Sequence, residues 1–127
     1  LMSIHSYMAE ESVLDTLIKY KIKNTIMHWY TGPERLIKEF IEIGCYFSIN
    51  CNMIKFPKGK EIIRLIPQNR ILIESDGPFS KVNDKKFNPL LLNDSYKAIG
   101  NCLGLSNIRD IVYNNFQVLL SRCNKLE

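Results

Sequence analysis

The chain has two histidines, and each closes a short apolar run: Met2-Ser3-Ile4-His5 and Asn24-Thr25-Ile26-Met27-His28. A third run, Arg70-Ile71-Leu72-Ile73, passes directly into Glu74-Ser75-Asp76 and then Gly77-Pro78, an acidic pair followed by a turn signal. The C-terminal ends of parallel strands gather on one face of an α/β sheet, and enzymes of this class present their chemistry there. His5, His28 and Asp76 are therefore expected to meet although they are far apart in sequence. Two imidazoles and a carboxylate suit a borderline divalent metal such as zinc, or manganese at a mixed site. Such an ion activates water near neutral pH, and Asp76 could both hold the metal and accept the proton. For one isolated histidine a hydrogen-bonded structural role is the alternative; recurrence of the pattern at three strand ends favours chemistry.

Cations and aromatic residues follow the same strand ends. Lys55, Lys58 and Lys60 come after the third strand, and Lys81, Lys85 and Lys86 after the fourth. Around a hydrolytic metal they would position the phosphates of a nucleic acid; solvated surface lysines are the alternative. Trp29, Tyr30, Phe56 and Phe79 lie on these loops and are candidates for stacking on splayed bases, with plain packing the alternative for each.

The elements that must position these residues can be read from periodicity. Val13, Leu14, Leu17 and Ile18 give a helical stripe over Glu10–Tyr20, with acids at its start and lysines at its end. Pro33 opens a second helix with Leu36, Ile37, Phe40 and Ile41 inward, and Gly44 is placed to cap it. A strand over Cys45–Ile49 follows, then a loop from Cys51 to Pro57, then a short helix from about Lys58 to Leu65 that Pro67 stops. After the strand at 70–76 comes a polar loop. Asn93 is expected to cap a helix closed by Gly104, and Ser106 a last helix carrying Ile108, Val112, Asn115 and Leu119. Four βα units in succession predict a parallel sheet with right-handed crossovers.

Composition sets bounds. The 127 residues amount to a single domain, too short for the roughly 250 residues of a complete eight-fold α/β barrel. With 46% hydrophobic and 24% charged residues and a net charge of +4, it reads as a mildly basic globular chain suited to a phosphate-rich substrate. No apolar run reaches membrane-span length, so no membrane partner is expected. The four cysteines form no C-x-x-C pair and are expected to be reduced thiols in a cytoplasmic protein. The first residue is Leu1 and a strand starts at once, so the chain is expected to be a fragment of a longer protein.

The motifs together point further. His5-Ser6 with Ala9-Glu10, His28-Trp29-Tyr30-Thr31-Gly32, Gly44 through Asn50, Glu74 through Pro78, Asn88-Pro89 and Asn115-Phe116, in that order, resemble the C-terminal half of the TatD-type metal-dependent deoxyribonucleases. The resemblance runs through nearly the whole chain. It implies an α/β fold, the C-terminal half of a parallel (β/α) TIM-like barrel, and hydrolysis of DNA phosphodiesters by a metal-activated water. It also implies His5 and His28 as ligands of one metal, and Asp76 as a ligand of another and the partner of the attacking water. Zinc, manganese or magnesium would serve, two ions in the complete protein. Tyr7, Lys55, Lys81 and Asn88 are the candidate substrate contacts.

The sequence also departs from the family. Tyr7 stands where members usually carry Arg, and Ser75 where Thr is commoner. The family's early His-x-His pair and bridging Glu have no counterpart, since they belong to βα units that are absent. Variants of this type occur in bacterial anti-phage gene cassettes, and Tyr7 would suit such a divergent branch. Residues 1–127 are thus expected to form one domain whose N-terminal half is supplied by more chain, by another polypeptide or by self-association, because its first and fourth strands are open edges. Two other readings stand beside the nuclease: a metal-dependent amidohydrolase-type enzyme on a non-nucleic-acid substrate, and a non-catalytic half-barrel.

Overall fold

The computed structural model describes residues 1–123. Four strands form one sheet: β1 (Met2–His5), β2 (Thr25–His28), β3 (Tyr46–Ile49) and β4 (Ile71–Ile73). They lie in the order β1-β2-β3-β4, every pair parallel. The helices α1 (Glu10–Lys19), α2 (Arg35–Glu42) and α3 (Pro57–Leu65) make the crossovers, as the succession of periodic segments predicts. The chain then forms a small antiparallel ribbon, β5 (Lys81–Val82) with β6 (Lys85–Lys86), and ends in α4 (Leu92–Leu103) and α5 (Ile108–Cys123).

The register sorts side chains by face. Met27, Phe47 and Ile71 are aligned across three strands, with Ile49 two residues further along the same face. All four are essentially inaccessible to solvent. Phe47 makes edge-to-face contacts with Phe40 of α2 (6.4 Å between centroids) and with Tyr30 (5.6 Å), and Tyr30 closes the triangle on Phe40 at 5.8 Å. Burying aliphatic and aromatic side chains of this size contributes about 1.5–3 kcal/mol each, so this face supplies much of the fold's stability. The other face carries Ile26, His28, Ser48 and Leu72, which makes it the chemical face at its upper end.

The second helix ends as its sequence predicts. Gly44 takes φ +95°, with its N–H on Ile41 O and the Cys45 N–H on Phe40 O, so the chain reverses straight into β3. Other boundaries differ from expectation. The fourth strand ends at Ile73; beyond it only the Glu74 N–H continues the ladder, to Ile49 O at 2.9 Å, so the acids sit on the loop. A 3-10 turn, Met53–Lys55, occupies the stretch expected to be loop, and α3 begins at Pro57. Asn93 does not cap α4. The helix starts one residue earlier, out of a 3-10 turn at Pro89–Leu91 whose cap is Asn88, and the Asn93 side chain accepts from Arg109 instead. At the head of α5 the Asn107 carbonyl, not Ser106, accepts the first N–H groups.

Asn115 locks α5 onto the sheet. It is buried, and its amide nitrogen donates to Gln68 O (2.7 Å) and Ile71 O (2.8 Å) at the root of β4. The helix therefore fixes the strand that carries Glu74 and Asp76 upward.

Candidate active site

His5 and His28 are cross-strand partners at the C-terminal ends of β1 and β2, their ring centroids 5.5 Å apart. His28 is in register with Ser48, and Ser48 with Leu72. Two residues on from Leu72, and so on the same face, stands Glu74. This alternation delivers an imidazole, a hydroxyl and a carboxylate to one spot. The Glu74 Oε2 accepts from the Ser48 hydroxyl and pairs with His28 Nδ1, while Oε1 accepts from Asn50 Nδ2 at 3.0 Å. Asn50 is itself oriented, because its Oδ1 accepts the Asn52 N–H at 2.9 Å. Burial pushes the Glu74 carboxyl above its ordinary range, while the bonds from Ser48, Asn50 and His28 act in the opposite direction.

Asp76 approaches His28 from the other side, with Oδ1 3.3 Å from Nε2. Its backbone is left-handed, φ +44°, and its carbonyl accepts the N–H groups of Phe79 and Ser80, both at 2.9 Å. The Ser80 hydroxyl bonds back to Ser75 O, closing a tight loop around the cis Gly77-Pro78 bond. His28 is thus flanked by carboxylates on both ring nitrogens. Glu74 accepting from Nδ1–H leaves Nε2 with its lone pair aimed at the Asp76 side, the arrangement a metal-ligating histidine requires. Among the described residues no group of three or more His, Cys, Asp and Glu side chains closes into a metal cage. His28 stands between the other two candidates, its ring 5.5 Å from that of His5 and its Nε2 3.3 Å from Asp76.

The structure places His28 beside His5 on the neighbouring strand and beside Asp76 on the loop, and it adds Glu74, Ser48 and Asn50. The sequence carries Glu74 in its acidic pair and Ser48 and Asn50 at a strand end, but only the parallel register reveals that they meet. The candidate substrate contacts are scattered. Tyr7 is exposed and lines a small cleft with His5, Trp29 and Thr31. Lys55 lies 3.8 Å from the fully exposed Asp84. Lys81 begins the β5–β6 ribbon, where its N–H reaches Asn52 Oδ1 at 3.3 Å. Asn88 is a cap, its side-chain oxygen taken by the Leu90 N–H at 3.0 Å. Of the aromatic candidates, Tyr30 is a core residue with its hydroxyl on Pro33 O, and burial raises its ionisation out of reach. Trp29, Phe56 and Phe79 remain at the surface or partly so.

Below the His28–Glu74 pair a cavity of about 460 Å³ runs down the chemical face past Ile26 and Leu72 to Tyr113 and Phe116 of α5. The site therefore stands at the mouth of an apolar interior. The family model described as TatD related DNase matches residues 1–121. The chain belongs to the TatD-related DNase family. Among its curated TatD relatives, the deoxyribonuclease Tat-D of Schizosaccharomyces pombe is 32% identical over 82 residues, covering 62% of this chain and 26% of that protein. An uncharacterized metal-dependent hydrolase of Bacillus subtilis, YabD, is 33% identical over 81 residues, covering 60% of this chain and 31% of its own length. This TatD-family chain thus spans about a third or less of the length of the curated relatives it matches. A solved TatD homolog from Escherichia coli superposes with a TM-score of 0.77 at 16% identity, over 94% of this chain and 49% of that one. The four βα units and the closing helix are the C-terminal half of a parallel TIM-like barrel, the fold expected from the motifs. No helix among the described residues is long and apolar enough to cross a membrane.

Proposed function

We propose that this chain supplies His5, His28 and Asp76 to the divalent-metal site of a nuclease that hydrolyses DNA phosphodiester bonds. The observation that carries the reading is the His28 imidazole held between Glu74 on Nδ1 and Asp76 on Nε2. Family membership and the chain's relatives support it: one is a deoxyribonuclease and another an uncharacterized metal-dependent hydrolase. A bound zinc, manganese or magnesium ion would lower the pKa of water and offset charge on the phosphoryl group. The chain's own residues do the rest. Glu74 fixes the tautomer and ring plane of His28; Asp76, partly exposed beside Nε2, is placed to accept the proton of the attacking water. His5, exposed at the end of β1, supplies a second imidazole nitrogen one strand away. The loops at this end of the sheet carry Lys55, Lys81, Lys85 and Lys86, whose charge suits a phosphate backbone.

The remaining ligands belong, in this reading, to βα units that complete the barrel against the outer strands β1 and β4, whether from the same polypeptide or a second one. The test is Asp76→Asn in the full-length protein, which keeps the side-chain shape and removes the charge. Turnover of DNA is expected to fall by roughly two orders of magnitude or more, the scale of a lost general base, with little change in melting temperature. Near-normal cleavage by the purified variant would refute the assignment.

A further inference from the structure

The geometry points to a nucleobase subsite beside the catalytic face, a cleft of about 260 Å³ lined by Trp29, Thr31, Asn52, Phe56, Lys58 and Ile62. The inference rests on the nuclease reading for what brings a nucleic acid there, and it names the part of that substrate the cleft holds: one unpaired base next to the scissile phosphate.

Three observations carry it. The first is continuity. Trp29 directly follows His28, and Trp29 and Thr31 also line the smaller cleft of about 230 Å³ that contains His5 and Tyr7. A chain whose phosphate sits at His5, His28 and Asp76 would have its neighbouring base within reach of the indole. The second is the make-up of the walls. An indole and a phenyl ring with the Ile62 side chain form a slot whose exposed lining is almost wholly apolar. Every base has a π-face, so an aromatic slot of this kind accepts bases without regard to identity. Phe56 is 65% exposed, so it is not needed to fill the core. Trp29 keeps a left-handed backbone, φ +43°, an unfavourable conformation for a bulky residue.

The third observation is charge. Lys58 lines the cleft from the first turn of α3, the end of a helix at which an anion, not a cation, gains from the backbone dipoles. The Lys58 charge at the rim suits an anionic chain better than an apolar peptide or a second copy of this basic chain. Of the aromatic residues on these loops, Tyr30 is withdrawn into the core and Phe79 does not line the cleft, so the subsite is defined by Trp29 and Phe56 alone.

The experiment uses the full-length protein and single-stranded oligodeoxynucleotides in which one base at a time is replaced by an abasic site. In the wild type, an abasic site at one fixed distance from the cleaved bond should raise KM by roughly five- to a hundredfold, the fold-change that corresponds to one base–aromatic stack, with kcat little altered. Phe56→Ala should raise KM on intact DNA by a similar factor and erase that position's sensitivity. Lys58→Ala should raise KM at every position alike and flatten the salt dependence. If the wild type cleaves DNA with a flat abasic profile, or Phe56→Ala keeps the wild-type profile, the subsite is refuted while the nuclease stands. If the wild type cleaves no DNA, the nuclease reading fails, and binding of an oligonucleotide carrying one 2-aminopurine decides the subsite separately. Fluorescence quenching by the wild type that Phe56→Ala abolishes supports it; equal quenching, or none, overturns it.

Discussion

Replacing Glu74 by Gln changes one atom and should damage the site more than its size suggests. The carboxylate accepts at both oxygens: Oε2 from Ser48 and His28 Nδ1, Oε1 from Asn50 Nδ2. An amide can satisfy only one side. If its oxygen takes the Oε2 position, its NH2 faces the Asn50 NH2, and Asn50 cannot turn over without surrendering the Asn52 N–H held by its own oxygen. A buried donor left without an acceptor costs about 1–3 kcal/mol. If the amide sits the other way, its NH2 faces His28, which must carry its proton on Nε2 and present N–H, not a lone pair, toward Asp76. Both orientations also lose the extra strength of bonds to a charged acceptor. The expected result in the full-length protein is a rise of roughly 10–100-fold in the manganese concentration giving half-maximal DNA cleavage, about 1.4–2.7 kcal/mol, because supports of this kind tune the ligand they hold. Metal titration of activity, alongside thermal unfolding of the metal-free protein, measures it. An unchanged half-saturating concentration with an unchanged melting temperature would show that Glu74 does not orient His28.

Asn115→Ala should destabilise the protein by about 2–4 kcal/mol, since it removes two buried hydrogen bonds and strands the Gln68 and Ile71 carbonyls; denaturant unfolding reads it, and a loss under about 0.5 kcal/mol would contradict the locking role given to this residue. Gly59→Ala should lower stability by about 1–3 kcal/mol despite the better helix propensity of Ala, because the new methyl would sit against the Met53 carbonyl, a backbone group that cannot swing aside; an unchanged melting temperature would argue against that contact. Cys45 and Cys51 should resist alkylation in the native protein at about pH 8.5, where an ordinary thiol is half ionised. Burial holds both thiols above that range, so the reactive thiolate is scarce as well as shielded. Peptide-level mass spectrometry should find Cys102 and Cys123 modified first; early labelling of Cys45 would refute the burial.

Much of the architecture could be read from the residues because the apolar runs are short, flanked by turn signals and separated by helical stripes. The two histidines and Asp76 could be placed at strand ends for the same reason. Glu74 could not be given its role in advance: its bonding depends on register between β2, β3 and β4, and no local pattern encodes register between parallel strands. The β5–β6 ribbon looks like loop in the sequence because two-residue strands carry no periodicity; its signal is the Asn83-Asp84 pair, both left-handed as a tight hairpin turn requires. Tyr30 looked like a binding residue because it sits between Trp29 and Thr31, yet it follows a left-handed residue that sends successive side chains in unlike directions. Only its residue type recommends Asn93 as a cap. Asn88, five residues earlier and followed directly by proline, is the better placed of the two.

The left-handed backbone at Trp29 and Asp76 sets stability against the roles proposed for these two residues. An L-residue in this conformation gives up about 1–2 kcal/mol, less for aspartate, whose short polar side chain tolerates it, than for tryptophan. Glycine at position 29 would release that strain and remove the ring. Laboratory evolution for heat resistance alone should therefore lose the indole early, and evolution under pressure for substrate turnover should keep it and gather its stabilising changes elsewhere. The two lineages would diverge first at this residue.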